Sequence, residues 1–227
     1  MHASPLTAGI VKQAIAVLHP AALMAAGLLL ASMPVVVAAE PMEDVDYVLI
    51  APQPVSVPGK IEVIEFFYYG CESCNRLEPQ LQSWLKTLPQ DTSFRRLPAL
   101  RRTAWVPLAR VYFALEQLGE IERMHTQVYQ AVHDGGVNLG NSPELYEWAQ
   151  KHGLDSVKLE ELLDSDLVRS QVQRARDATV AYGIRATPSF VVDGKYMTSG
   201  GMVGSLEGLL PTVDGLIDKA RSARAQK

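Results

Sequence analysis

Cys71 and Cys74 are the residues of this sequence whose type and spacing could carry out chemistry. They are the only cysteines among its 227 residues. Two thiols separated by two residues can close a small disulfide ring and reopen it, and each cycle moves two electrons. The pair is therefore a candidate redox site, and its chemistry requires no cofactor.

The residues on either side of the pair predict how it is held. The nearly continuous apolar run from Ile61 to Tyr69 is typical of a central strand covered on both faces, and a helical pattern follows from Asn75 to Leu88. Cys71 would then lie where the strand leads into the helix, and free backbone N–H groups and the helix dipole stabilise a thiolate there. Cys74 is expected to be more buried and less ionised. This asymmetry predicts an attacking Cys71 and a resolving Cys74.

Two other interpretations of the cysteine pair are weaker. A structural disulfide across so short a loop would stabilise the fold little, because the entropic gain grows with loop length. A zinc site would need two more ligands, and the helical stretch has no second C-x-x-C and no close pair of histidines. His125, His133 and His152 are therefore expected to be ordinary surface or core residues.

Glu65 interrupts the predicted buried strand six residues before Cys71. A buried carboxyl group without a partner favours its neutral form, so we expect the pKa of Glu65 to be raised. The alternative is an acid at the strand end that pairs with a basic residue. The pairs Arg95-Arg96 and Arg101-Arg102 are expected to be solvated charge at a domain junction.

Other patterns outline the remaining elements. Thr92 to Leu97 is predicted to be a strand parallel to the first, and a wholly helical stretch follows from Thr103. Asp193-Gly194 predicts a tight turn between two antiparallel strands, Ser189–Val192 and Lys195–Ser199. A final amphipathic helix is expected from Val203 to Ala223, and a short edge strand is expected within Tyr47 to Ile50.

Four features in this order resemble the thioredoxin superfamily and, within it, the DsbA family of bacterial periplasmic thiol oxidases. They are Glu65-Phe66-Phe67 before the C-x-x-C, Pro79 inside the following helix, Thr187-Pro188, and the hairpin from Val191 to Tyr196. The resemblance implies an α/β thioredoxin fold with an inserted helical domain. It also implies a cis peptide bond before Pro188, a role for Thr187 and Pro188 in substrate binding, and proton transfer between Glu65 and the second thiol.

The dipeptide between the cysteines departs from the family pattern. DsbA enzymes commonly have Pro-His there, and the histidine helps to stabilise the thiolate, whereas this chain has Glu72-Ser73. Ser73 can only donate a hydrogen bond, and Glu72 brings a like charge near the thiolate at a cost of about 1 kcal/mol when solvent-exposed. Since 1.4 kcal/mol corresponds to about 30 mV, we predict a potential tens of millivolts more reducing than that of strongly oxidising DsbA enzymes.

The N-terminal residues have the pattern of a secretory signal peptide cut after Ala39. Lys12 precedes an apolar run from Ala21 to Ala31, and Val37-Ala38-Ala39 supplies the small residues that a signal peptidase reads. A retained membrane anchor is the alternative. The predicted domains are the signal peptide (1–39), a thioredoxin-like domain (40–102 and 168–227) and an inserted helical domain (103–167).

These observations lead to one hypothesis and two alternatives. The hypothesis is a monomeric periplasmic thiol:disulfide oxidoreductase that introduces disulfide bonds into reduced or unfolded exported proteins, with no metal and no cofactor. By resemblance, a DsbB-like quinone-linked membrane protein would reoxidise it. The formal net charge of −4 gives no basic field for nucleic acid. The alternatives are a periplasmic reductase or isomerase and a non-catalytic, chaperone-like peptide-binding module.

Overall fold

The computed structural model describes residues 40–226 of the chain. The predicted signal peptide and its anchor alternative lie outside the described residues, so both stay predictions. Within residues 40–226, no helix combines the length and the apolar character needed to cross a membrane.

One mixed sheet organises the described residues. Its strands are β1 (Val48–Leu49), β2 (Ile61–Phe67), β3 (Thr92–Pro98), β4 (Ser189–Val192) and β5 (Tyr196–Ser199). Their order is β1-β5-β4-β2-β3, with β2 parallel to β3 and antiparallel to β4. The predictions of a parallel second strand and of a short edge strand are both confirmed.

Helices cover the sheet and fill the long connection between β3 and β4. They are α1 (Glu72–Leu85), α2 (Val106–Gln117), α3 (Ile121–His133), α4 (Ser142–Lys151), α5 (Ser156–Leu163), α6 (Asp166–Ala181), α7 (Gly200–Val203) and α8 (Leu209–Ala225). Helices α2 to α6 form the predicted helical insertion. The boundary proposed at residue 167 stays a prediction, and α6 continues across it, with Val168, Val172 and Ala175 buried in the core of the inserted helices.

Strand β2 is the centre of the fold, and all seven of its residues are buried. Because successive strand side chains point to opposite faces, Ile61 and Val63 pack with α1 and α8, while Ile64 and Phe66 pack with Tyr182 on the other face. Phe67 reaches the core of the inserted helices. The end of β2 therefore leads the chain to the junction of the sheet, α1 and the helical insertion.

The C-terminal region confirms one prediction and corrects another. Asp193 (φ 53°) and Gly194 (φ 63°) form the tight hairpin turn between β4 and β5, as such a dipeptide favours. The prediction of one final helix starting at Val203 is wrong. Gly204 adopts a left-handed conformation (φ 80°) that ends α7, and α8 begins only at Leu209.

Candidate active site

Cys71 is the N-cap residue of α1, in an extended conformation (φ −92°, ψ 114°). Its Sγ accepts the backbone N–H of Cys74 at 3.4 Å, and its thiol donates to the Thr187 carbonyl oxygen at 3.2 Å. Both cysteines are free thiols in this structure, with Cys71 half-buried and Cys74 buried. The Thr187–Pro188 peptide bond is cis, as predicted. The structure thus brings the C-x-x-C pair and the Thr187-Pro188 loop together.

The two thiols differ strongly in acidity. Hydrogen bonds lower the pKa of Cys71 to about 6, first from the Cys74 side chain and then from the Thr187 side chain and the Cys74 and Ser73 backbone, against the opposing effect of burial. Burial, reinforced by the neighbouring Cys71, raises the pKa of Cys74 well above its usual value. The predicted difference between an ionised Cys71 and a buried, protonated Cys74 is therefore present.

Beneath the thiols, one buried guanidinium lies between two buried carboxylates. Arg96 Nε is 3.2 Å from Glu65 Oε2, and Arg96 Nη2 is 3.4 Å from Glu78 Oε1. The Arg96 side chain is 8% exposed and each carboxylate is 2% exposed. Burial raises the pKa of Glu65 to about 8, against the opposing effect of Arg96, and burial also raises the pKa of Glu78. One positive charge cannot compensate two buried negative ones, so the cluster favours retaining a proton.

Glu65 is therefore both buried, as predicted, and paired, as in the alternative. The expectation that the Arg95-Arg96 pair is solvated is wrong for Arg96, whereas the Arg95 side chain is 35% exposed. Arg95 Nε pairs with buried Glu62 Oε1 at 3.0 Å, and Arg96 lies inside the molecule. The signal that could have found Arg96 is strand register, because Glu65 on β2 and Arg96 on β3 are direct partners in the parallel pair.

The buried cluster continues to the inserted helices. His125 Nε2 on α3 is 3.6 Å from Glu78 Oε2, and His125 Nδ1 lies 2.8 Å from the Tyr69 hydroxyl. Burial and the nearby Arg96 charge keep the pKa of His125 well below its usual range. His125 is thus a neutral core histidine, as expected from the sequence. Across residues 40–226, no three His, Cys, Asp or Glu side chains are placed to hold a metal ion.

The dipeptide between the cysteines has a partner that the sequence did not reveal. Glu72 Oε2 lies 3.1 Å from His133 Nδ1 at the end of α3, so its carboxylate is not isolated beside Cys71 as the sequence suggested. The Ser73 backbone contributes to the low pKa of Cys71. His133, expected to be an ordinary surface or core residue, also contacts the Tyr69 carbonyl oxygen. No spacing links Glu72 and His133, because they come from separate helices.

Replacing Glu65 with glutamine is expected to flatten the pH dependence of folding stability between pH 4.5 and pH 8. Because the pKa of Glu65 rises from 4.5 to about 8 on folding, the native state keeps a proton that the unfolded chain loses. The contribution of Glu65 to the free energy of unfolding must therefore fall as pH rises through this window, by about 3 kcal/mol or less. Glutamine has no such proton, so urea unfolding at pH 5 and pH 8 should show a smaller difference in the variant.

The control is Glu161→Gln, at an exposed glutamate of α5. It should keep the pH dependence of the wild type. If the free energy of unfolding changes with pH by the same amount in the wild type and in Glu65→Gln, then Glu65 ionises in the native state as it does in the unfolded chain.

Comparison with known proteins identifies relatives of this arrangement. A family profile described as a DSBA-like thioredoxin domain matches residues 93–205. The thiol:disulfide interchange protein DsbA of Azotobacter vinelandii is 39% identical over 171 residues, covering 75% of this chain and 80% of the relative. The protein of the same name from Pseudomonas aeruginosa is 36% identical over 175 residues, covering 77% and 83%.

Solved structures agree with the sequence relatives. The crystal structure of Pseudomonas aeruginosa DsbA superimposes with a TM-score of 0.77 at 35% identity, covering 82% of this chain and 97% of that chain. The oxidoreductase DsbA from Xylella fastidiosa gives a TM-score of 0.72 at 32% identity, covering 78% and 96%. The fold is therefore the thioredoxin fold with a helical insertion. The chain belongs to the DsbA family of thiol:disulfide interchange proteins and is a thiol:disulfide oxidoreductase.

Proposed function

We propose that the protein oxidises thiol pairs of exported proteins in the periplasm, using a Cys71–Cys74 disulfide as the oxidant. The observation that carries this direction is the low pKa of Cys71, about 6, beside the raised pKa of Cys74. A thiolate of low pKa is a good leaving group, and its stability favours the reduced form of the enzyme. A disulfide whose reduced form is stabilised accepts electrons readily from substrate thiols.

In the proposed reaction, a substrate thiolate attacks Cys71 Sγ of the enzyme disulfide. A bond forms between the substrate sulfur and Cys71, the Cys71–Cys74 bond breaks, and Cys74 leaves as a thiolate that takes up a proton. A second substrate thiolate then attacks the substrate sulfur of the mixed disulfide and releases Cys71 as a thiolate. The substrate loses two electrons and gains a disulfide, and the enzyme gains two electrons.

Glu65 is proposed to supply the proton to Cys74 and to take it back on reoxidation. With a pKa of about 8, its carboxyl group is mostly protonated at neutral pH and can exchange a proton near that pH. Its charge also contributes to the raised pKa of Cys74, so the two groups are electrostatically coupled. Arg96 and Glu78 are proposed to hold Glu65 in place and to set its protonation.

Thr187 and Pro188 are proposed to bind the substrate next to the reacting sulfur. The Thr187 carbonyl already reaches Cys71 Sγ, so an extended substrate segment that pairs with this backbone would present its cysteine to Cys71. Tyr68, three residues before Cys71, stacks on Trp105 with ring centroids 4.3 Å apart and an interplanar angle of 5°. Their partly exposed rings offer an apolar surface for the side chains that flank a substrate cysteine.

The partners follow from the same chemistry. Reduced or unfolded exported proteins would be the electron donors, and a DsbB-like membrane quinone oxidoreductase would remove the electrons from Cys71 and Cys74. The periplasmic location is supported by the predicted signal peptide and by membership of the DsbA family. We propose that the protein acts as a monomer.

The test is the redox potential of the Cys71 and Cys74 pair, measured by equilibrating mature protein with glutathione buffers. We expect a value between about −120 and −180 mV, the range that the oxidants among such enzymes occupy. The same protein should catalyse disulfide formation in a reduced, unfolded substrate. A potential near −230 mV or below would overturn the oxidative direction and favour the reductase alternative.

A further inference from the structure

His133, in the last turn of α3, contacts both ends of the segment that carries Cys71. Its Nε2 lies 2.8 Å from the Tyr69 carbonyl oxygen, two residues before Cys71. Its Nδ1 lies 3.1 Å from Glu72 Oε2, one residue after Cys71. The His133 side chain is 12% exposed and that of Glu72 is 69% exposed. A side chain of the inserted helices therefore holds the strand-to-helix junction from both sides.

The two groups next to the ring nitrogens are both hydrogen-bond acceptors. A carbonyl oxygen and a carboxylate oxygen are both acceptors, so a ring nitrogen next to either must carry a proton to make a favourable contact. Neutral imidazole has one N–H group, and the imidazolium has two. The groups that face the ring are Glu72 from α1, the Tyr69 carbonyl, and Tyr129, whose ring centroid is 6.1 Å away. The doubly protonated form is the one that satisfies both acceptors.

The two helix ends favour a negative charge on Glu72 and a positive charge on His133. Glu72 is the acidic residue in the first turn of α1, and His133 is the basic residue in the last turn of α3. A negative group is stabilised at a helix N-terminus, and a positive group is stabilised at a C-terminus. The ion pair thus forms where two helix ends of opposite polarity meet beside Cys71.

We propose that His133 is a positioning residue of the dithiol site, which neutralises Glu72 and supplies from α3 a positive charge that supports the Cys71 thiolate. In this chain the C-x-x-C dipeptide itself contains no histidine. The cation therefore comes from the helical insertion, and it is coupled to the unusual Glu72. This inference rests on the proposed role of Cys71 as the reacting thiol.

The first experiment measures the ionisation of Cys71 by thiolate absorbance against pH in four reduced proteins. These are the wild type, His133→Gln, Glu72→Gln and the double variant. Removing His133 while Glu72 is present leaves a negative charge beside the thiolate, so the ionisation constant of Cys71 should fall about threefold. In the Glu72→Gln background the imidazole has no anionic partner, so replacing His133 should change the ionisation constant of Cys71 little.

This coupling separates an electrostatic role from a merely structural one. Equal shifts from His133→Gln in the wild-type and Glu72→Gln backgrounds would overturn the proposal, as would no shift in either. Exposed Glu72 gives a variant that does not depend on how well His133→Gln folds. The control is His152→Gln, at a histidine whose Nδ1 lies 2.8 Å from the Trp148 carbonyl oxygen on α4. It should leave the Cys71 titration unchanged.

A second measurement reads the imidazole directly. Nitrogen-15 NMR of the His133 ring at pH 7.5 should show protons on both nitrogens in the wild type, with one lost in Glu72→Gln. A singly protonated ring in the wild type would overturn the proposal. The glutathione equilibrium of the wild type separates failure of the His133 proposal from failure of the proposed function. If the wild type exchanges disulfides and the Cys71 titration of His133→Gln equals that of the wild type, only the proposed role of His133 is overturned. If the wild type does not exchange disulfides, the proposed function is overturned.

Discussion

Replacing Cys71 with serine is expected to reduce the thiol-exchange activity of the protein to the uncatalysed background. Cys74 cannot take over, because it is 1% exposed and burial raises the pKa of its thiol well above the usual value. A buried thiol that stays protonated is a poor nucleophile and cannot reach a protein substrate. Turnover of a reduced, unfolded substrate and reduction of insulin should both be lost, while circular dichroism stays unchanged.

Cys74→Ser is the matched variant, and it should behave differently. It keeps the accessible Cys71 thiolate but has no resolving thiol, so it should accumulate a mixed disulfide with glutathione or substrate that mass spectrometry detects. Residual turnover in Cys71→Ser would assign the attack to another group. A protein that binds peptides equally well with and without Cys71, and shows no exchange in either form, would be the non-catalytic module considered from the sequence.

Replacing Arg96 with methionine is expected to lower the free energy of unfolding at pH 8 by about 3 to 5 kcal/mol. The change leaves Glu65 and Glu78 buried without the one guanidinium that lies 3.2 and 3.4 Å from them. The two carboxyl groups must then stay protonated or remain as uncompensated charges. Because neutral carboxyl groups are less costly to bury, the loss should be smaller at pH 5 than at pH 8 in urea unfolding.

A surface ion pair provides the control for Arg96. Arg123 on α3 pairs with Glu120 at 2.8 Å, and their side chains are 52% and 35% exposed, so Arg123→Met should cost no more than about 1 kcal/mol. Adding Glu65→Gln to Arg96→Met should recover part of the lost stability. An Arg96→Met protein as stable as Arg123→Met at both pH values would contradict the interpretation of the cluster.

The strongest local patterns predicted most of the fold. Strand β2, the hairpin turn at Asp193-Gly194 and the helices from residue 106 to residue 181 follow from apolar periodicity and turn residues. The last helix was misplaced because its apolar pattern does not reveal that Gly204 adopts a left-handed conformation. Periodicity also says little about where a helical domain ends, since α6 is one continuous helix shared between two regions of the core.

The dithiol could be predicted from the sequence, but its charged surroundings could not. Cys71 and Cys74 are close together in the chain, and their chemistry depends on a local junction between strand and helix. The partners of Glu65 and Glu72 are set by tertiary structure instead. Arg96 reaches Glu65 through strand register, and His133 reaches Glu72 because α3 ends beside α1. Paired arginines in a polar segment look solvated until the register of their strand is known.

The contact between Cys71 and Thr187 bears on when the complete site forms. The thiol and its carbonyl partner are separated by 116 residues of sequence, and the whole helical insertion lies between them. Contacts that close such long loops carry a large entropic cost and tend to form late in folding. An incompletely folded chain therefore lacks the contact between Cys71 and Thr187, although the hydrogen bonds from Cys74 and Ser73 are local to the start of α1. The complete site, with Cys71 next to the Thr187-Pro188 loop, forms only when β4 joins β2.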